Sequence, residues 1–169
     1  MTKVENAVDE PTFKSRHPRF NHVAMSLPQD LLTADSRELL TKFYGQVFGW
    51  HEIPQLTDER RRLVFQVHTI EQFVFLIADE PPMTCARLDH FGISVGAESE
   101  LDDILARAKA FEEHDDRVEI IDKKTDDHGM LAITSIYIRY LLPMMIEIQW
   151  WDFKGMERPN EKADQKGAA

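Results

Sequence analysis

Two eight-residue stretches of the chain carry the same alternation of apolar and polar positions. Residues 20–27 read FNHVAMSL and residues 88–95 read LDHFGISV. Each position matches in kind: apolar, Asn or Asp, His, apolar, small, apolar, Ser, apolar. Because side chains alternate between the two faces of a strand, both stretches predict strands with one apolar face and one face that carries a histidine.

A helical pattern follows each of these strands. In the first half, Asp35 with Glu38 three residues later predicts a capping box, and Gly49 ends the run. In the second half, Ser99 is the predicted cap. Apolar residues recur at helical spacing in both runs: Leu39, Leu40, Phe43, Tyr44, Val47 and Phe48, then Leu101, Ile104, Leu105, Ala108 and Phe111.

Three strand-like runs come after each helical pattern, so each half of the chain predicts a βαβββ module. The runs lie near residues 51–56, 62–69 and 72–79 in the first half, and near 118–123, 131–141 and 144–151 in the second. The predicted organisation is an arm (1–18), a first module (19–80), a linker (81–87), a second module (88–153) and a tail (154–169). The predicted fold class is α+β, with two tandem modules whose mixed sheets curl around a metal-containing cleft.

The polar faces of the predicted strands should meet in that cleft. His22 and His90 occupy matched positions of the two repeats, and Glu147 alternates with Ile146 and Ile148 in the last strand. A single His or Glu on a strand is more often a solvated residue. A histidine repeated at matched positions instead favours a shared metal site, so we expect these three side chains to come together.

The composition argues against several classes of binding partner and of metal site. The chain has 169 residues, a formal net charge of -10 and a single cysteine. An acidic surface argues against nonspecific nucleic-acid binding and against an anionic membrane surface. One cysteine excludes an intrachain disulfide and a cysteine-rich zinc site. No apolar run has the length of a signal peptide or membrane span, so a cytoplasmic location is expected.

The motifs together resemble those of the vicinal oxygen chelate superfamily, over about residues 19–153. The resemblance rests on the NHVAMS and DHFGIS pair, on the helix end FYGQVFGW and on IYIRYLLPMMIEIQWW near the end of the chain. Glyoxalases, methylmalonyl-CoA epimerases, extradiol dioxygenases, and bleomycin- and fosfomycin-resistance proteins belong to this superfamily. The resemblance implies that His22, His90 and Glu147 occupy three of its four metal-ligand positions.

The fourth ligand position should fall within residues 73–77, which read FVFLI and contain no ligand. Two histidines and one carboxylate form the facial triad of non-haem Fe(II) oxygenases. They are also the ligand set of extradiol dioxygenases, and Tyr137 stands ten residues before Glu147 as a tyrosine does in that family. Those enzymes also carry a catalytic histidine where this chain has an apolar strand, with Leu76 near the expected place. His68, on the polar face beside Gln66, is a candidate for a substitute acid or base, and Tyr137 is the other catalytic candidate.

These features predict a divalent-metal-dependent enzyme, foremost an Fe(II) extradiol-type dioxygenase that cleaves a catechol-like aromatic. One alternative is a glyoxalase- or epimerase-like lyase or isomerase that uses Mn(II), Zn(II) or Ni(II) as a Lewis acid. Another is a non-catalytic small-molecule binding protein of the bleomycin-resistance kind. A small-molecule substrate, aromatic in the first case, and a homodimer are expected. The substrate, the native metal and the pathway stay open.

Overall fold

The first repeat folds into a four-stranded mixed sheet with one long helix on it. In the computed structural model, which describes residues 20–156, strand β1 runs parallel to β4, and the sheet order is β1-β4-β3-β2. The elements of this module are β1 (His22–Leu27), α1 (Ala34–Phe48), β2 (His51–Glu52), β3 (Arg62–Gln66) and β4 (Phe73–Ala78).

The second repeat has the same topology. Its strand order is β5-β8-β7-β6, again with the first and last strands of the module parallel. Its elements are β5 (His90–Val95), α2 (Glu98–Glu112), β6 (Val118–Asp127), β7 (Ala132–Tyr140) and β8 (Met145–Asp152). The α+β class and the tandem βαβββ modules are therefore confirmed. The predicted arm (1–18) and the tail beyond residue 156 lie outside the described residues.

Both helices begin at different residues from those predicted. Helix α1 starts at Ala34, so Asp35 lies inside its first turn, and the Thr33 hydroxyl contacts Asp30 and Ser36 instead of capping the helix. Helix α2 starts at Glu98, one residue before the predicted cap Ser99. There the Glu100 carboxylate accepts hydrogen bonds from the backbone N–H groups of residues 96 and 97, so this end is stabilised by one side of a capping box.

The predicted end of α1 is confirmed. Gly49 has a φ of 74°, in the left-handed region, and its N–H donates to the carbonyl of Gly45. The predicted strand over residues 51–56 is wrong beyond Glu52, because Pro54 begins a short 3-10 turn. The backbone N–H of Ile53 donates to the Val64 carbonyl, so this segment covers Val64, which is fully buried.

One continuous hydrophobic core joins the two modules. The apolar faces of both sheets and the stripes of both helices pack into it. Phe43 of α1 contacts the rings of Phe111 and Tyr140 at centroid distances of 5.0 and 4.5 Å. The buried Tyr44 hydroxyl donates to the Tyr140 carbonyl at 2.8 Å. The modules therefore meet through their helix-covered faces, which leaves the histidine-bearing faces on the outer sides of the sheets. None of the helices within residues 20–156 is long and apolar enough to cross a membrane.

Candidate metal centre

Glu147 lies at the centre of the outer face of the second sheet. Strand β8 runs between β5 and β7, where Glu147 pairs with Gly92 on one side and with Tyr137 on the other. Its neighbours Ile146 and Ile148 point into the core and fix the alternation. Only 8% of the Glu147 surface is exposed. A carboxylate this buried needs compensating partners.

The Tyr137 hydroxyl donates a hydrogen bond to Glu147, at 2.7 Å from Oε1. Burial by itself raises the pKa of the Glu147 carboxyl. The Tyr137 bond, the polar side chains of Gln149 and Ser135 on the same face, and the nearby His90 outweigh the burial and leave the pKa below its ordinary value. The same bond raises the pKa of Tyr137 to about 12. Glu147 is therefore held as a carboxylate, with Tyr137 as a protonated donor.

His90 faces the other oxygen of Glu147. Its Nε2 lies 3.3 Å from Glu147 Oε2, and its Nδ1 lies 2.7 Å from the Leu88 carbonyl oxygen. A carbonyl can only accept, so Nδ1 carries the proton of the neutral ring and Nε2 presents a lone pair. Two acceptor atoms therefore face each other, and only a cation between them, either a proton or a metal ion, makes the contact favourable.

The spacing of the pair fits one metal ion. Ligand atoms about 2.1 Å from an ion and at right angles to each other stand about 3.0 Å apart, close to the 3.3 Å between His90 Nε2 and Glu147 Oε2. Gly92 stands next to this gap, so no side chain beyond Cα fills the space on that side. Within residues 20–156, however, no group of three His, Cys, Asp or Glu side chains is close enough to hold an ion.

His22 is the predicted ligand that the structure does not bring to this pair. It lies in the first sheet, where its ring stacks on Phe73 at 4.7 Å with an interplanar angle of 3°. Its Nδ1 lies 2.8 Å from Asn21 Oδ1, so Nδ1 is the protonated nitrogen and Nε2 is again the one with a lone pair. The two sheets join through their helix faces, and the expected cleft with all three residues does not form among the described residues of one chain.

The two predicted catalytic residues have different surroundings. Tyr137 is part of the centre through its bond to Glu147, and its ring meets that of His90 edge-on at 5.2 Å. His68 is exposed in the turn between β3 and β4, where the Gln66 amide donates to its backbone carbonyl. The predicted apolar character of β4 holds, since Phe73 stands opposite His22 and Phe75 opposite Ala24.

Sequence reasoning missed four groups that orient the site. Ser135 and Gln149 share the face of Glu147 and help to lower its pKa, while Asn21 and the Leu88 carbonyl fix the tautomers of the two histidines. Strand alternation could have identified Ser135 and Gln149. Ser135 lies two residues from Tyr137, and Gln149 lies two residues from Glu147, so each pair shares one face of the sheet. No sequence pattern could have indicated the role of the Leu88 carbonyl, because that role depends on the backbone conformation before β5.

Comparison with solved structures shows which proteins share this fold. Lactoylglutathione lyase from Agrobacterium tumefaciens is similar to the chain, with a TM-score of 0.54, 18% identity, and 80% of this chain and 95% of that one covered. The chain has the fold of the vicinal oxygen chelate superfamily. The fosfomycin resistance protein FosX from Listeria monocytogenes, solved with Mn(II) and sulfate, gives a TM-score of 0.55 at 15% identity, with 88% and 97% covered. No protein-family model and no curated protein matches the chain.

Proposed function

We propose that this protein is a divalent-metal-dependent enzyme acting on a small molecule, with the ion held by His90 and Glu147. The observation that carries the proposal is the pair of acceptor atoms 3.3 Å apart, one from an imidazole and one from a buried carboxylate. The Tyr137 hydroxyl donates to that carboxylate and favours its charged form, and two acceptor groups that face each other are the arrangement that a cation satisfies.

His22 is the third ligand in this proposal, and it comes from a second copy of the chain. The His22 ring lies on the exposed outer face of the first sheet, with Phe73 and Phe75 in the adjacent strand. That apolar face and the Glu147 face of the second sheet point away from the shared core. Seating His22 of the partner subunit against His90 and Glu147 would cover both faces in a homodimer and complete two identical sites.

A bound divalent ion supplies Lewis-acid polarisation of substrate oxygens, the chemistry of a lyase or isomerase. Around it, the chain supplies a carboxylate fixed by Tyr137 and an open side at Gly92 where a substrate can approach. His68 remains a candidate acid or base, which the pairing of two copies would have to bring to the site.

An Fe(II) extradiol-type dioxygenase is the second candidate, and one observation favours it. Phe75 stands opposite Ala24 in the first module, where Glu147 stands opposite Gly92 in the second. The first sheet therefore adds a histidine but no carboxylate, and the complete set is two histidines and one carboxylate, which is typical of non-haem iron oxygenases. An aromatic diol is the substrate class for this candidate.

The test is the metal content and mass of protein purified without oxygen, for wild type and for His22→Ala, His90→Ala and Glu147→Ala. We expect one ion per chain in a dimer and loss of the ion in all three variants. Iron would support the dioxygenase and justify a screen of catechols. Manganese, zinc or nickel would support the Lewis-acid enzyme. Wild type that takes up no ion, even from added Fe(II) or Mn(II), would refute the proposal and leave a binding protein.

A further inference from the structure

A cavity of about 500 Å³ lies between helices α1 and α2. Leu39 and Phe111, which pack against the hydrophobic core, form its apolar wall. Helix α2 covers the apolar face of the second sheet, whereas Glu147 lies on the outer face, so the sheet separates this cavity from the metal pair. An apolar wall with a few polar groups is typical of small-molecule sites of this size.

Cationic side chains line the cavity, although the chain as a whole has a formal net charge of -10. Lys42, Arg107 and His114 lie in its wall. Asp115 is the one carboxylate that the described residues place there, and the Arg117 guanidinium already binds it at 2.6 and 2.8 Å. The cavity therefore has a positive local charge, which favours an anionic ligand.

Lys42 and Arg107 differ from most lysines and arginines of the described chain, which pair with a carboxylate. Lys109, for example, lies 2.7 Å from Asp122. Within residues 20–156, neither Lys42 nor Arg107 forms an ion pair. The Lys42 ammonium instead lies 5.9 Å from the centroid of the Phe111 ring, so charge and apolar surface stand side by side.

A backbone contact fixes the direction of the Arg107 side chain. Its Nε–H donates to the Val47 carbonyl at 2.9 Å, in the last turn of α1, where a helix leaves carbonyls without a partner. The two terminal nitrogens of the guanidinium make no hydrogen bond among the described residues. A guanidinium held in this way can bind a carboxylate or phosphate through two parallel bonds at a reduced entropy cost.

We propose that this cavity binds a small organic anion, with its carboxylate or phosphate group on Arg107 and Lys42 and its apolar body on Phe111. The proposal is independent of the metal chemistry proposed above. It requires both parts of the ligand, because the cations bind only the charged group and the Phe111 ring contacts only the apolar body.

The first experiment titrates the metal-free full-length protein with phenyl phosphate and with benzoate, followed by ¹H–¹⁵N spectra. We expect a Kd below about 1 mM for at least one of them, with shifts concentrated in residues 39–46 and 107–115. The tighter of the two identifies the charged group. No binding of either anion, or shifts concentrated elsewhere, would overturn the inference.

Inorganic phosphate and benzyl alcohol each carry one half of the proposed ligand. Both should bind at least about tenfold more weakly than the tighter aromatic anion, because each loses either the apolar contact or the charge. Phosphate that bound as tightly would overturn the role of the apolar wall. Benzyl alcohol that bound as tightly would overturn the role of the cations.

The second experiment repeats the titration with Arg107→Gln, Lys42→Gln and the matched control Lys109→Gln. Lys109 lies on the same helix as Arg107 and its loss changes the net charge equally, but it binds Asp122 outside the cavity. We expect Arg107→Gln and Lys42→Gln each to weaken binding at least about tenfold, and Lys109→Gln to stay within about twofold.

Arg107→Gln also loses the bond to the Val47 carbonyl and could fail to fold for that reason. The Lys42 side chain is exposed and makes no such bond, so Lys42→Gln tests the cavity without this complication. Unfolding temperatures from circular dichroism check that each variant is folded. Equal affinities of Lys42→Gln and Lys109→Gln for the aromatic anion would overturn the inference.

Discussion

The two modules share one topology but differ at the position that matters most for chemistry. In the second module, Gly92 pairs with Glu147, and in the first module the equivalent pair is Ala24 and Phe75. The histidine two residues earlier in the first strand, His22 or His90, is present in both modules. Tyr137 then pairs with Glu147, whereas Val64 pairs with Phe75. One outer face therefore carries a hydrogen-bonded carboxylate, and the other carries aromatic and aliphatic side chains.

This difference shows how two modules with the same topology can carry different side chains on their outer faces. The backbone pairing of the first and last strands is kept in both modules, so each presents a histidine in the same setting. The second module adds the Glu147 carboxylate and its donor Tyr137. The first module adds an apolar surface beside its histidine, which is suited to contact with another protein surface or an apolar ligand. The proposed metal site would draw its ligands from both faces.

The largest effect is expected from breaking the core that the modules share. Phe43 is fully buried and touches aromatic rings of the second module, so Phe43→Ala should lower the free energy of unfolding by about 3–5 kcal/mol. Thermal unfolding, followed by circular dichroism and by tryptophan fluorescence, should show one coincident transition at a lower temperature. The exposed neighbour Lys42→Ala is the control. Two separate transitions in wild type would contradict a shared core.

Removing the carboxylate of the second module should have the next largest effect. Glu147→Gln should weaken Mn(II) binding by at least about 100-fold, because a ligand is lost and not merely its support. The metal-free variant should unfold at the wild-type temperature or above, since the amide can donate to His90 Nε2 where the carboxylate cannot. Calorimetry and thermal unfolding measure the two effects. Glu119→Gln, on the same sheet and paired with Arg139, should leave both unchanged.

The helix ends of the two modules differ as well, and this difference predicts a pH dependence. Helix α1 ends at Gly49, whereas Asp115 follows α2 and accepts hydrogen bonds from the Arg117 guanidinium and the Tyr140 hydroxyl. The Arg117 bond lowers the pKa of Asp115 below its usual 3.8. A lowered pKa in the folded state stabilises the protein above pH 3.8, and this contribution disappears as the pH falls towards the lowered value.

Asp115→Asn should therefore reduce the free energy of unfolding by about 1 kcal/mol at pH 7, since Arg117 is half exposed to solvent. The difference from wild type should shrink below about pH 4, as the wild-type carboxyl takes up a proton. Urea unfolding between pH 3 and 7 measures it. The adjacent and exposed Asp116→Asn should show no such trend, and a difference that grew on acidification would contradict the assigned cause.

The smallest effect is expected from making the second module resemble the first at the residue opposite Glu147. Gly92→Ala introduces the side chain that Ala24 has in the first module. The added Cβ would lie 3.7 Å from Glu147 Oε2, an ordinary van der Waals contact. Urea unfolding should change by less than about 0.5 kcal/mol, and Mn(II) affinity should stay within about twofold. A large loss of affinity would show that the ion or its bound water needs that space.

Local patterns were enough to predict most of the fold. Period-two alternation placed Met25 and Leu27 in the core and His22 on the outer face, and Gly49 marked the end of α1 as observed. The predicted element boundaries are wrong where a single residue interrupts the pattern that its neighbours set. Pro54 stops β2 early, and both helices begin just after residues whose side chains make no capping hydrogen bond, Thr33 and Ala97. The cytoplasmic location stays a prediction.

The sequence by itself determined the repeat, the outward position of His22, His90 and Glu147, and the lack of a ligand in β4, because strand alternation and residue identity are local properties. Tertiary structure decided which of these side chains meet. Packing of α1 against α2 and the second sheet, through Phe43 and Tyr44, puts the modules back to back. His90 and Glu147 are neighbours because their strands pair. His22 is not, because burying the helix faces together stabilises the chain at the expense of a cleft within it.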